Sequence, residues 1–266
     1  MSDVDPVDDL GTPVPIARPV ERVVSLVPSL TEAIALSCPG MLMAATDWCT
    51  HPRELPVERV RGTKNPNVRR IAELAPDLVI CNQEENRRID VGRLRDAGIA
   101  VWVTRIRTVD EAFESMTRMF AAALGVVPPD WLSEAESVWA PPPPEPIRNA
   151  VIPIWRDPWM VVGRDTFTGD LAHRLGLRLV HAHLPGRYPT VSAVELLSGV
   201  DLAVLPDEPY VFTETDGPEA FPDIPVALVS GRDLTWYGPS LVTARARLSD
   251  RLARATNPAP PHRSDS

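Results

Sequence analysis

The sequence predicts an α/β fold of two similar lobes joined by a long helix, and three observations carry that expectation. Short apolar, β-branched runs alternate with helical patterns, the signature of parallel sheets with helical crossovers. A stiff "PPPPEP" spacer (141–146) interrupts the alternation, which then resumes. The stretches on either side echo each other: "APDLVICNQEEN" (75–86) matches "GVDLAVLPDEPY" (199–210), with Asp77 against Asp201 and, seven residues on, Glu84 against Glu208.

The first lobe opens with the strand "RVVSLV" (22–27), the helical pattern "LTEAIAL" (30–36) and the apolar run "MLMAAT" (41–46). The strand "DLVIC" (77–81), the helix "RRIDVGRLRDAG" (87–98) and the strand "IAVWVT" (99–104) complete it. A longer helix follows in "TVDEAFESMTRMFAAALG" (108–125), with Thr108 as N-cap, Glu111 three residues on and Gly125 as its stop. A second helix spans 130–139. The later lobe reads as "NAVIPIW" (149–155), helices over 168–175 and 191–197, strands "DLAVLP" (201–206) and "IPVALVS" (224–230), and a last helix over 240–255. The divisions expected are an N-terminal tail and lead-in (1–19), an N-terminal α/β lobe (20–107), a bridging helical segment (108–140), a Pro-rich linker (141–148), a C-terminal α/β lobe (149–256) and a disordered tail (257–266). Both polar, Pro-rich ends are expected to be loose.

At 266 residues the chain can hold two domains, taking roughly 150 residues for each. Hydrophobic residues at 44% and charged residues at 24% suit a protein with a buried core. A net charge of −9 argues against a nucleic-acid partner, which needs a basic face. The three cysteines, Cys38, Cys49 and Cys81, lack metal-finger spacing and a disulfide framework, which points to a reducing compartment. The start "MSDVDPVDDLG" is acidic where a secretory signal is basic. The longest mostly apolar stretch, 33–45, is broken by Pro39-Gly40 and falls short of the ~20 residues that cross a bilayer. The expectation is a cytoplasmic protein with no membrane insertion.

Ligands of open α/β sheets sit beyond the carboxyl ends of the strands, so the residues that follow each strand are the site candidates. In the first half they are Ser29; Trp48, Cys49 and His51 in "DWCTHP"; and Asn82, Glu84 and Glu85 in "NQEEN". In the second half they are Trp155, Arg156, Asp157 and Trp159 in "IWRDPW", Tyr188 in "LPGRYP", and Trp236 and Tyr237 in "LTWYGP". Amphipathic aromatics such as these suit the walls of a cleft for a flat, partly polar ligand. Arg156 and Asp157 either orient that ligand or form a local ion pair. Trp102, Trp131 and Trp139 lie inside strands and helices and are assigned to the core. Cys49-x-His51 offers metal donors, and His181-x-His183 shares one strand face and could chelate. Catalytic signatures are missing: no G-x-S-x-G elbow, no phosphate-cradling loop, no G-x-G-x-x-G, and one lysine, Lys64. The expectation is binding without catalysis.

With these residues in place, the chain resembles the helical-backbone metal receptors, the type III substrate-binding proteins for cobalamin, haem or iron-siderophore complexes. "RVVSLVPSLTEAI", "DWCTHP", "RGTKNPNVRRIAELAPDLVICNQEENRRIDVGRLRDAGIAVWVT", "PIWRDPWMVVGRDTFTGDLAHRLG", "RYPTVSAVELL" and "LPDEPY…LTWYGP" carry the resemblance over most of residues 20–255. The cobalamin-binding branch is the most similar, through the "S-x-x-P-S-x-T-E" opening. The resemblance implies two Rossmann-like lobes bridged by a single long backbone helix, with the ligand in a cleft between them. It places the loops at Pro28, "DWCTHP" and "NQEEN" on the N-lobe side, and "IWRDPW", Tyr188 and "LTWYGP" on the C-lobe side. It also implies a bound cobalamin or another metal chelate rather than a covalent cofactor. Two departures follow. Where the cobalamin binder offers a tryptophan to the corrin, this chain has Asn82. Where transported members carry permease-docking glutamates, it has Arg69 and Val194, with Glu195 one residue away. The reading at this stage is a cytoplasmic receptor or carrier for which docking to an ABC permease is doubtful. The alternatives are an exported binding component of an ABC uptake transporter, or an enzyme or trafficking factor using Cys49 and His51.

Overall fold

The computed structural model describes residues 5–256; the expected disordered tail (257–266) and residues 1–4 lie outside the described residues. The chain divides into two compact units, one of residues 1–106, 110–134 and 237–239, the other of 107–109, 135–236 and 240–266.

The first unit starts with β1 (Val23–Ser25) and α1 (Pro28–Ser37). Pro28 sits in the first turn, where its fixed φ suits the helix and its missing N–H is no loss. There follow β2 (Leu42–Ala45), β3 (Glu58–Arg59), α2 (Val68–Leu74), β4 (Leu78–Asn82), α3 (Arg88–Asp96) and β5 (Val101–Thr104). The strands form one sheet in the order β3-β2-β1-β4-β5, every pairing parallel. β4 is buried along its whole length, as a parallel strand covered on both faces must be, and its apolar run reflects that. Around it pack Val24, Leu26, Ile71, Leu94 and Val103.

α4 (Val109–Arg118) continues into a π-helical turn (Met119–Leu124) and stops at Gly125. Gly125 takes φ 74°, which a side chain resists, and a Cβ there would meet Arg18 Nη1 at 2.6 Å. Arg18 caps the helix: its guanidinium donates to the carbonyls of Ala122 and Ala123, placing a cation at the negative end of the helix dipole. α5 (Asp130–Trp139) follows, and the division between the units falls inside it.

The second unit contains β6 (Arg148–Val151), β7 (Pro153–Trp155), β8 (Trp159–Val161), α6 (Phe167–Arg174) and β9 (Leu177–Leu179). β10 (Thr190–Val191), α7 (Ala193–Leu197), β11 (Leu202–Pro206), β12 (Val226–Val229), α8 (Gly231–Thr235) and α9 (Leu241–Ala253) complete it. Its main sheet runs β12-β11-β6-β9, all parallel. The expected single strand 149–155 is two, because Pro153 cannot donate to a ladder and the chain leaves the parallel sheet there to form the antiparallel sheet β10-β8-β7.

The sequence echo has a structural counterpart. Asp77, just before β4, donates its N–H to the Arg22 carbonyl while its Oδ2 accepts the Arg22 N–H at 2.8 Å. Asp201, just before β11, does the same with Asn149, at 2.7 Å and 3.1 Å. In each unit the acid ties the start of one central strand to the start of its neighbour.

Two expectations fail. The N-terminal segment is docked rather than loose: Val7 pairs with Pro13, buried Asp8 accepts from Leu10 N–H and Thr12 N–H at 2.9 Å each and meets Arg95 at 2.9 Å. Asp9 engages Ser115, Arg118 and the Arg105 N–H, so the two carboxylates fasten a stretch whose composition alone suggested a tail. His181 and His183 do not share a strand face, because β9 ends at Leu179 and they lie in a 3₁₀ turn (Val180–His183). His181 Nε2 lies 2.9 Å from the Glu195 carbonyl and His183 Nδ1 2.8 Å from that of Val180.

Candidate functional site

In the first unit three loops at the carboxyl ends of strands are braced together. The "DWCTHP" loop follows β2, and Arg59 of β3 donates to the carbonyls of Thr46 and Cys49 at 3.0 and 2.9 Å. The loop after β4 is held from within: Asn82 Oδ1 accepts from Glu84 N–H and Glu85 N–H at 2.8 and 3.3 Å, and Asn82 Nδ2 donates to Thr104 Oγ1 at 3.1 Å. Asn86 donates from Nδ2 to the carbonyls of Leu26 and Thr63, joining that loop to the end of β1 and to the 59–64 segment.

These contacts separate the candidates by what they can touch. Asn82 is 2% exposed with its polar atoms occupied, so it shapes the loop rather than offering a face. Trp48 is 66% exposed and is the open aromatic of this unit. Cys49 is sealed, its sulfur 3.0 Å from the Thr31 hydroxyl and 3.1 Å from that of Thr46. Burial pushes its thiol up, so at neutral pH it is the protonated form, a poor nucleophile and a poor metal ligand. Cys81, fully buried under the same cause, is pushed up to about 12. His51 Nδ1 lies 3.2 Å from Thr50 Oγ1. Ser29 is buried in the first turn of α1, and Gly238, beside Tyr237, lies close to it: a Cβ on Gly238 would sit 3.2 Å from the Ser29 carbonyl. Glu84 and Glu85 are half-buried. Among the described residues no group of three or more His, Cys, Asp or Glu is placed to hold a metal ion.

In the second unit the "IWRDPW" segment is the hairpin turn between β7 and β8. Arg156 reaches across to Asp216 and, at 2.7 Å, to Glu219, while Asp157 is 3.7 Å away. The Tyr210 hydroxyl, which donates to Asp216 at 2.7 Å, holds that carboxyl below its usual range, with the Arg156 guanidinium adding to the effect. Burial raises Glu219, but the bonds from Arg156 and backbone N–H groups outweigh it and leave it lowered. The same guanidinium lies 5.2 Å over the Trp159 ring. Arg156 therefore pins the hairpin to the loop after β11, which answers why so many polar and aromatic groups crowd one strand end. Trp159 stacks on Phe212 at 6.1 Å and meets Phe221 edge-on, so it is a wall of the core. Trp155, 45% exposed, stands edge-on to Tyr210 at 5.6 Å and keeps an open face. Tyr188 is placed beside β8 by its neighbours, since Arg187 and Pro189 accept from Gly163 N–H and Val161 N–H at 2.7 and 3.1 Å. Trp236 and Tyr237 are buried, Trp236 with the Arg232 guanidinium 6.0 Å over its ring.

Glu208 and Tyr210 follow the strand "DLAVL", where ligand-facing residues are expected, yet the sequence reading left both out of its site. It passed over Phe212 and Asp216, whose partners Trp159 and Arg156 lie far away in sequence.

No family model matches the chain. Among curated proteins it is 31% identical over 109 residues to a vitamin B12-binding protein of Vibrio cholerae, a match covering 40% of each chain. It is 34% identical over 108 residues to an uncharacterised ABC transporter substrate-binding lipoprotein of Bacillus subtilis, covering 39% of this chain and 34% of that one. The chain thus spans about two fifths of the length of the curated relatives it matches. Among solved structures, the periplasmic vitamin B12-binding protein of Vibrio cholerae superposes with TM-score 0.72 at 19% identity, over 88% of this chain and 97% of that one. The chain resembles the type III substrate-binding proteins in sequence and in fold. A periplasmic haem-binding protein in complex with two haems shares the fold of this chain at TM-score 0.69 and 22% identity, over 87% and 97%. The resemblance and fold class inferred from the sequence hold. The cytoplasmic placement does not, because the relatives are named as periplasmic proteins and as a lipoprotein of an ABC transporter. One relative is named as a substrate-binding lipoprotein of an ABC transporter, which counts against the doubt about permease docking. No helix among the described residues is long and apolar enough to cross a membrane.

Proposed function

We propose that this chain is the substrate-binding component of an ABC uptake system for a metal chelate, with a cobalamin-like corrinoid as the leading ligand. The match to a vitamin B12-binding protein, extended by a shared fold over most of the chain, carries the reading. The relatives are binding proteins, and this chain is one rather than an enzyme. Cys49, the nucleophile that the enzymatic alternative required, is sealed and neutral, which supports the same reading. The open faces of Trp48 and Trp155 are the surfaces offered to a flat ligand, and Tyr210 stands edge-on against the second.

Docking to a permease would use other surfaces. On α2, Arg69 is 90% exposed and pairs with Glu73 at 3.0 Å, so an acidic group stands one helical turn from the position where transported members carry glutamate. On α7, exposed Glu195 bonds to Ser192 in a capping box, which holds its carboxyl below the usual range as an anion.

The test is a titration of the purified protein with cyanocobalamin, haem and a ferric siderophore, read by tryptophan fluorescence. Saturable quenching by cobalamin is expected. Saturation by haem alone moves the ligand to the porphyrin class that the second structural relative names. A flat response to all three overturns the proposal.

A further inference from the structure

The loop after β11 holds a carboxyl with one oxygen that the protein does not satisfy. Glu208 Oε1 is buried and accepts no hydrogen bond within the described structure. The side chain lies against the start of α8, so tightly that a Cβ on Gly231 would come within 2.2 Å of Glu208 Cγ and 2.9 Å of its backbone N and O. Asp207 fastens this arrangement by accepting the Gly231 N–H at 2.6 Å. The carboxyl is thus fixed at the carboxyl end of a central strand, two residues before Tyr210, whose ring meets exposed Trp155.

We infer that Glu208 is a specificity-determining residue of the ligand site, its carboxyl selecting a chelate with amide groups on its rim, a corrinoid, over one with carboxylates on its rim, a porphyrin. The inference rests on the function proposed above. Glu208 keeps part of its surface open, so a change of side-chain rotamer can turn the unsatisfied oxygen to a ligand.

An amide both donates and accepts, and so pairs with a carboxyl in either protonation state. A rim carboxylate only accepts, and so pairs only with the protonated acid. Burial, with Asp207 adding to it, raises the Glu208 pKa to about 7, against the opposing pull of the Trp236 indole N–H and the Arg232 guanidinium. The charged groups that face it are Asp207 on its own loop and Arg232 on α8. Discrimination against rim carboxylates should therefore grow as pH rises through neutrality.

The test measures dissociation constants for cyanocobalamin and haem at pH 6 and pH 8, for the natural protein and for Glu208→Gln. The ratio favouring cobalamin should rise by about tenfold between the two pH values in the natural protein, the scale of one close like-charge pair. In Glu208→Gln the ratio should be flat with pH. A ratio in the natural protein that does not change with pH overturns the inference, as does the same change surviving in Glu208→Gln. Should the variant not fold, the natural protein's own pH profile decides. Binding of neither ligand at either pH overturns the proposed function and this inference together, an outcome distinct from cobalamin binding with a flat ratio.

Discussion

Cys49 and Glu208 are ionisable groups whose surroundings push both toward the neutral form. For Cys49 the result is chemical silence: a thiol reagent at pH 7.5 should leave it unlabelled in the native protein and label it only after unfolding, as peptide mass spectrometry would show. Rapid native labelling would mean that the loop opens. For Glu208 the result is linkage. Its folded pKa, about 7, lies above the ordinary carboxyl value, so the folded state binds the proton more tightly than the unfolded state. Its contribution is then fully present below about pH 4 and is lost as pH rises through 7. Between pH 5 and pH 8 the natural protein should lose roughly 1–3 kcal/mol relative to Glu208→Gln, as measured by denaturant unfolding. Equal losses in both proteins would show that Glu208 ionises freely. Neither effect was legible in the sequence, which shows the residue type but not what covers it.

At the scale of elements, most helices and strands were readable because their period and their stops are local. α5 occupies the span expected from Asp130 to the start of the polyproline, and Gly125 ends the π turn as a C-terminal glycine should. The β7–β8 hairpin was not readable. Its turn is held by Arg156 through Asp216 and Glu219, some 60 residues away, and by aromatic partners at 210–221. The paired aspartates lie between these cases: their echo was visible, but their bonds were not. Alanine at Asp77 or Asp201 should each cost about 1–3 kcal/mol, the worth of hydrogen bonds to a charged group. Asp77 should be the costlier, since it also accepts the Glu21 N–H at 2.9 Å. Unchanged unfolding midpoints in both variants would reduce the repeat to a coincidence of sequence.

At the scale of the molecule, two units with separate apolar cores make up a chain whose fold is that of binding proteins. A ligand that binds only the folded state adds stability in proportion to its occupancy, about 2.7 kcal/mol at a hundredfold excess over the dissociation constant. For a chain of this size that corresponds to a rise in melting temperature of about 5–10 °C. Cyanocobalamin should produce it, and a melting temperature that ignores saturating cobalamin would contradict the proposed ligand. The cytoplasmic expectation failed at this scale because it read composition near one end of the chain, whereas the relatives bear on the fold as a whole.

The sequence by itself determined the α/β class, the repeat of two similar units and the loops that follow the strands, because strand and helix periods and breakers act between near neighbours. Only the tertiary structure decided which of those residues face outward. It buried Asn82, Cys49 and Trp236, left Trp48 and Trp155 open, assigned Arg156 to an ion pair and left the Glu208 oxygen without a donor. Exposure and pairing depend on atoms brought together from distant segments, and no local pattern encodes them.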